Sequence, residues 1–356
     1  MSKIKKTFRF AALILSLALI FCACGEKTAL YEINGENAWF SYPVEQAPVK
    51  AVNAGEKWYL LMGKYLGDSF SLSVSESYEN VNTVYSTSGV DIWFFEANES
   101  LAAWCEESAA EIKFMVYNAE SGKTEEIFSA STEKFFRAAN VGVHGKKAYF
   151  EYTDYENKTA AIMCYDIEEG KLSRFAELEY RGEYSCTSLY LHAGNLTVSY
   201  GNEGKAELLK INLESGEKTK ISLSAAVNFV YACSYDSAEG GYAVYYRDAD
   251  GKEHVATVNA KSGNAKNLFT FVQNVYAYHD TISFYGGHLY WVQQVNATGN
   301  VAEHYKFVDY DCSNDTADEY LKTFCFSLAE DGVTLLAFNG VTYTAIYITE
   351  IYLGGQ

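Results

Sequence analysis

Six side chains of types suited to gripping a ligand fall in short polar segments or at repeat positions: Trp104, Arg137, Tyr155, Tyr184, Arg247 and His279. Trp104 is followed by Cys105-Glu106-Glu107, Tyr155 sits between Asp154 and Glu156, and Tyr184 ends Tyr180-Arg181-Gly182-Glu183-Tyr184. Arg247 opens Arg247-Asp248-Ala249-Asp250-Gly251, and Asn296 to Glu303 is a further loop segment. Aromatic rings interleaved with acids suit stacking on a sugar ring or holding a peptide. Arg137 and His279 suit an anionic group. No G-x-S-x-G elbow, H-E-x-x-H helix or phosphate-binding glycine loop occurs, which leaves nucleophilic and metalloprotease chemistry without a foothold. Glu106-Glu107 and Glu168-Glu169 are adjacent pairs, so on a strand they point to opposite faces and do not form a glycosidase dyad. The expected role is therefore binding or scaffolding, and the rival is a glycan hydrolase or lyase using loop carboxylates.

The elements that must position these residues are announced by two combs of turns. In the first, an Asx residue is followed four positions later by glycine: Asn118 with Gly122, Asp166 with Gly170, Asn212 with Gly216, Asn259 with Gly263, and a degenerate Asp309 with Ser313. The opening residues are 48, 46, 47 and 50 apart. An Asx side chain opening a turn and a left-handed glycine closing it make a short hairpin. The second comb is a glycine just ahead of an apolar strand: Gly55, Gly89, Gly145, Gly194, Gly241, Gly287 and Gly332. Two offset hairpins per period of about 47 residues mean four short antiparallel strands per repeat, the unit of a β-propeller blade. Seven such glycines predict an all-β, seven-bladed propeller of four-stranded blades. Its last blade would be closed by the N-terminal strand around Ala38 to Val44.

Within this scheme the 56-residue gap after Gly89 implies an insertion that puts Trp104 in a long loop of the second blade. Counting eight residues back from each comb glycine gives a ring at the start of the innermost strands: Ala47, Val81, Arg137, Cys186, Cys233, His279 and Phe324. Cys, Cys and His on successive blades are a metal-ligand set in type. The expected outcome is nonetheless no metal, with buried thiols and a hydrogen-bonded imidazole. Asp309, Asp311, Ser313 and Asp315 imitate an EF-hand opening but lack its sixth-position glycine and twelfth-position glutamate, so a hairpin is expected.

The turn Asn118-Ala119-Glu120-Ser121-Gly122-Lys123, echoed at 166–171 and 212–217, resembles the D-x-x-T-G-K turn of quinoprotein-like and related bacterial β-propellers. Quinoprotein-type repeats carry a tryptophan a few residues on, where this chain has Glu126, Phe175, Lys220 and Asn267, so no quinone and no other cofactor is expected.

The N-terminus adds an address. Lys3, Lys5, Lys6 and Arg9 precede the apolar run Phe10 to Phe21, too short to span a bilayer, and Ala23 is followed by Cys24. This arrangement resembles the lipobox of bacterial lipoproteins, which implies diacylation of Cys24 and cleavage before it. The expected organisation is a signal peptide over 1–23, a lipidated tether over 24–36 and a propeller over 37–356. The expected location is the outer face of the cell membrane, with a glycan, peptide or envelope protein as partner. After cleavage 24 Lys and Arg would face 46 Asp and Glu. So acidic a surface repels phosphate backbones, and no nucleic-acid partner is expected.

Overall fold

The computed structural model describes residues 29–31, 38–43, 46–54, 57–64, 69–77, 80–132, 136–182, 186, 188–202, 205–223, 227–236, 240–270, 282–294, 305–321, 323–329, 332–338 and 342–348. The signal segment, Cys24, Tyr184, His279 and residues 296–303 lie outside this set, as do the side chains of Arg137 and Cys233. Among the described residues there is no helix.

The chain begins with β1 (Ala29–Tyr31) and β2 (Ala38–Pro43). Sheet 1 follows as β3 (Gln46–Ala54), β4 (Lys57–Lys64), β5 (Ser69–Ser77) and β6 (Asn80–Ser88). Sheet 2 is β7 (Asp91–Ala97), β8 (Leu101–Glu107), β9 (Glu111–Asn118) and β10 (Lys123–Ser131). Sheet 3 is β11 (Phe136–His144), β12 (Lys147–Asp154), β13 (Thr159–Asp166) and β14 (Lys171–Leu178). Sheet 4 is β15 (Ser188–His192), β16 (Asn195–Asn202), β17 (Lys205–Asn212) and β18 (Lys218–Ser222). Sheet 5 is β19 (Val227–Asp236), β20 (Gly241–Asp248), β21 (Glu253–Asn259) and β22 (Ala265–Thr270). Sheet 6 is β23 (Ser283–Tyr285), β24 (His288–Gln294), β25 (Tyr305–Asp311) and β26 (Thr316–Leu321), with β1 added beside β26. Sheet 7 joins β27 (Thr323–Ala329), β28 (Gly332–Phe338) and β29 (Thr342–Ile348) to β2. The four main strands of each sheet form an up-and-down antiparallel meander, and β1 joins β26 in parallel.

The Asx comb is a set of real turns. The Asn118 side-chain oxygen accepts from the amides of Glu120 (2.9 Å) and Ser121 (3.0 Å), and Gly122 closes the turn at φ 66°. Asp166, Asn212 and Asn259 repeat the pattern, with Gly170, Gly216 and Gly263 at φ 60°, 71° and 69°. In sheet 6 the turn opens at Asp311, two residues later than the spacing suggests. Asp311 accepts from Ser313 N at 2.7 Å, and Asp315 takes the left-handed position at φ 58° without a glycine. Asp tolerates that conformation because its short side chain bonds locally.

Packing explains why the strands read as continuous apolar runs. Along β8, Ala102 and Trp104 face sheet 1 and pack with Tyr59, Leu61 and Phe95, whereas Leu101, Ala103 and Cys105 face sheet 3 and pack with Phe114 and Phe150. Successive side chains alternate between two dry interfaces. The Phe114 and Phe150 rings stack with centroids 3.8 Å apart. Corresponding cores lie between sheets 3 and 4, 4 and 5, and 5 and 6.

Three expectations are corrected here. Gly89 does not precede a second strand; it links β6 to β7, and the equivalent turn of sheet 2 is Asn98-Glu99-Ser100. No glycine marks that turn because the Asn98 side chain holds it, accepting from Ser100 N (2.9 Å) and Leu101 N (3.1 Å). Trp104 consequently lies in mid-strand, fully buried, rather than in a loop, and Val81 lies on the outermost strand β6 rather than the innermost. Within the segment expected to be the tether, Ala29–Tyr31 forms β1.

Candidate functional site

In every meander the connection from the second to the third strand and the exit from the fourth strand emerge at the same edge. We call this edge the loop face; the Asx hairpins form the opposite turn face. Tyr155 (β12 to β13), the segment after Leu178 (β14 to β15) and Arg247-Gly251 (β20 to β21) all belong to the loop face, as their sequence positions suggest.

At sheet 3 the Tyr155 and Tyr180 rings meet edge to face with centroids 6.5 Å apart. Next to them Arg181, with 12% of its side chain exposed, donates to Glu179 Oε2 at 2.8 Å and to Glu207 Oε2 at 2.5 Å. Its guanidinium carbon stands 4.7 Å from the Tyr200 ring centroid, a cation–π contact that also orients the fork. The Arg181 hydrogen bond holds the Glu179 carboxyl below its ordinary range. Burial, then the neighbouring Cys186, pushes the Tyr200 phenol well up.

At sheet 5 the Tyr246 ring stacks on His254, with centroids 4.8 Å apart. His254 Nε2 lies 2.8 Å from Asp248 Oδ2 and Nδ1 lies 2.9 Å from Thr270 Oγ1. The His254 contact, ahead of the opposing effect of burial, holds the Asp248 carboxyl low. Arg247 points outward and pairs with Glu253 at 2.8 Å.

Tyr152, Tyr200 and Tyr246 occupy equivalent register positions on the second strands of sheets 3, 4 and 5. Their spacings of 48 and 46 residues match the period, so the sequence carries this tyrosine comb alongside the turn combs. At the same position sheet 2 has Glu106 and sheet 6 has Gln293, which accept from Trp104 Nε1 (2.8 Å) and Trp291 Nε1 (3.2 Å). Glu106 is buried, and with Tyr85, Ser108, Glu111, Lys113 and Glu126 it lines a cleft of about 200 Å³ between sheets 1 and 2. Burial, then the bond to Glu106, pushes the Tyr85 phenol up to about 12.

Of the sequence candidates, the structure brings Tyr155 into an aromatic pair on the loop face of sheet 3 and places Arg247 at the loop face of sheet 5, two sheets away, while Trp104 is withdrawn into the core. Cys186 is buried, with Asn140 Nδ2 3.7 Å from its sulfur. Cys105, Cys164, Cys186 and Cys312 form no disulfide, and no three His, Cys, Asp or Glu side chains gather to hold a metal among the described residues.

No family model and no curated protein matches the chain. Solved structures do resemble it. A puromycin-hydrolyzing peptidase of Mycobacterium tuberculosis aligns with TM-score 0.58 at 10% identity, over 92% of this chain and 56% of that one. The β-propeller domain of the Trilobed protease of Pyrococcus furiosus aligns at 0.54 and 11%, over 86% and 95%. The oligogalacturonate lyase of Vibrio parahaemolyticus aligns at 0.53 and 11%, over 87% and 93%. Identities this low speak for architecture and not for activity. The sheets, their meander order and these likenesses together make the chain a β-propeller.

Proposed function

We propose that this chain is a lipid-anchored, extracytoplasmic propeller of seven blades that binds a glycan or peptide segment of the cell envelope on its loop face, without turnover. Closure of the ring is supported by contacts that pass from β3 to β7, β11, β15, β19 and β23, and from β27 back to β3. Anchoring is supported by the Ala23-Cys24 junction after a short apolar run.

The observation that carries the binding reading is the occupation of the charges around Tyr200 and Tyr246. Glu179 and Glu207 are held by Arg181, Glu253 by Arg247 and Asp248 by His254. Carboxylates so engaged orient hydrogen-bonding groups and aromatic faces, but they are poorly placed to trade protons with a substrate. Binding through the half-buried rings of Tyr155 and Tyr180, beside polar groups fixed in this way, remains open.

The test uses the full protein in detergent on a glycan array and a peptide array, with palmitate incorporation measured alongside. Retention that is lost in Tyr155→Ala and Tyr180→Ala while the melting curves stay unchanged is the expected result. Steady release of shortened or unsaturated sugar products would replace binding by catalysis. Failure of Cys24→Ala to abolish palmitate incorporation would remove the anchor.

A further inference from the structure

Sheet 6 differs from the other six sheets of described strands in carrying a fifth strand, and that strand is the first of the chain. β1 pairs with β26 in parallel, matching Ala29 with Asp318, Leu30 with Glu319 and Tyr31 with Tyr320. The direction of this pairing has a geometric consequence. β26 follows the Asp311-Asp315 hairpin, so it starts at the turn face and ends at the loop face. A parallel partner runs the same way, and the N-terminal end of β1, at Ala29, is therefore its turn-face end on the outer rim of sheet 6.

Cys24 stands five residues before Ala29. At no more than about 3.6 Å per residue it lies within roughly 18 Å of Ala29. Ala29 sits level with Asp318, two residues into β26, which uses about 7 Å of that reach before the turn face is passed. The next strand, β2, runs along the outer edge of sheet 7, so the N-terminal segment is stapled twice to one side of the rim.

We propose that β1 sets the orientation of the protein on the bilayer. The turn-face rim of sheet 6 is held against the lipid surface, and the loop face, with Tyr155, Tyr180 and Arg247, is presented away from it. This rests on the acylation of Cys24 proposed above. The partner surface is the membrane that holds the acyl chains, and the consequence is that envelope polymers reach the aromatic face unobstructed.

The experiment places azidophenylalanine at Asn314, on the turn face of sheet 6, or at Asp250, on the loop face of sheet 5. Each full-length acylated protein is coupled to a donor dye and reconstituted into phosphatidylethanolamine–phosphatidylglycerol vesicles whose headgroups carry an acceptor. Energy transfer from Asn314 should exceed that from Asp250 several-fold. Equal or reversed transfer overturns the orientation. Vesicle flotation of the same samples reads the anchor separately: protein that fails to float has lost the anchor and the orientation together, whereas floating protein with equal transfer has lost the orientation alone. Leu30→Pro puts a non-donor in the centre of the β1 ladder. It should leave flotation intact and bring the two efficiencies together; efficiencies that stay apart would show that β1 is not the orienting element and overturn the proposal.

Discussion

The indole N–H of Trp104 donates to Oε1 of Glu106 two residues along the same strand, at 2.8 Å, with both side chains withdrawn from solvent. Sheet 6 repeats this with Trp291 and Gln293 at 3.2 Å. The aromatic residue fills the space between sheets while its polar edge is satisfied locally.

Trp104→Ala should therefore destabilise the protein by about 3–5 kcal/mol through the cavity it leaves. Trp104→Phe should cost less, on the order of 1–3 kcal/mol, largely from depriving a buried acceptor of its donor. Glu106→Gln should be milder than either, because the Trp291-Gln293 pair shows that an amide oxygen serves the same bond. Urea unfolding of the three variants checks the ranking, and a ranking with Glu106→Gln as the worst would refute it.

Arg181 should couple more strongly to Glu207 than to Glu179. Glu207 has 22% of its side chain exposed and Glu179 has 57%, so solvent screens the second pair more. Double-mutant cycles on stability should give about 1–2 kcal/mol for the first pair and under about 1 kcal/mol for the second. Equal couplings would mean that burial does not govern this cluster.

Gly263→Ala should be far worse than Gly122→Ala. Both glycines have positive φ, which costs roughly 1 kcal/mol for a residue with a side chain. At Gly122 a Cβ would meet open space, whereas at Gly263 it would lie 2.0 Å from the Ser222 carbonyl oxygen of the neighbouring sheet. Thermal melts should show a small shift for Gly122→Ala and a large one for Gly263→Ala.

Stability should fall with rising pH through the titration of His288. Its Nδ1 lies 2.7 Å from Asp309 Oδ1, and this hydrogen bond raises the imidazole pKa against the opposing effect of burial. Burial, ahead of the opposing bond to His288, raises the Asp309 carboxyl as well, and a raised folded value gives a contribution of the same sign, lost as pH rises. Because the folded state favours the charged ring, its contribution is complete below the unfolded value near ~6.5 and is lost as pH climbs through the raised folded value. Urea midpoints measured across that window should decline in the native protein and flatten in His288→Gln. An unchanged slope in the variant would assign the pH dependence elsewhere.

Local chemistry made much of the fold legible. Asn118 and Gly122 declare a turn because few other residues bond their own backbone or accept a left-handed φ. The same reasoning misled at sheet 2, where Gly89 closes a different connection at φ 74° and Asn98 makes the expected turn without glycine. That displacement of about ten residues moved Trp104 from a strand into an imagined loop. The Arg181, Tyr200 and Glu207 cluster was illegible for another reason: its members come from a connection and two strands of the next sheet, and only the stacking of sheets brings them together. The position of Tyr155 on the loop face was legible because it lies in a short polar loop whose face follows from strand parity alone.

The pairing of β2 with β29 joins Ser41 to Thr344, close to opposite ends of the polypeptide. A chain delivered N-terminus first across a membrane would expose the strand at 38–43 long before its partner emerges. Sheet 7 acts as a clasp that cannot fasten until residues 342–348 have been made, and contacts of such long sequence separation form slowly. Truncation from either terminus should therefore unfasten the same sheet, a symmetry that a fold ending in two independent edges would not show.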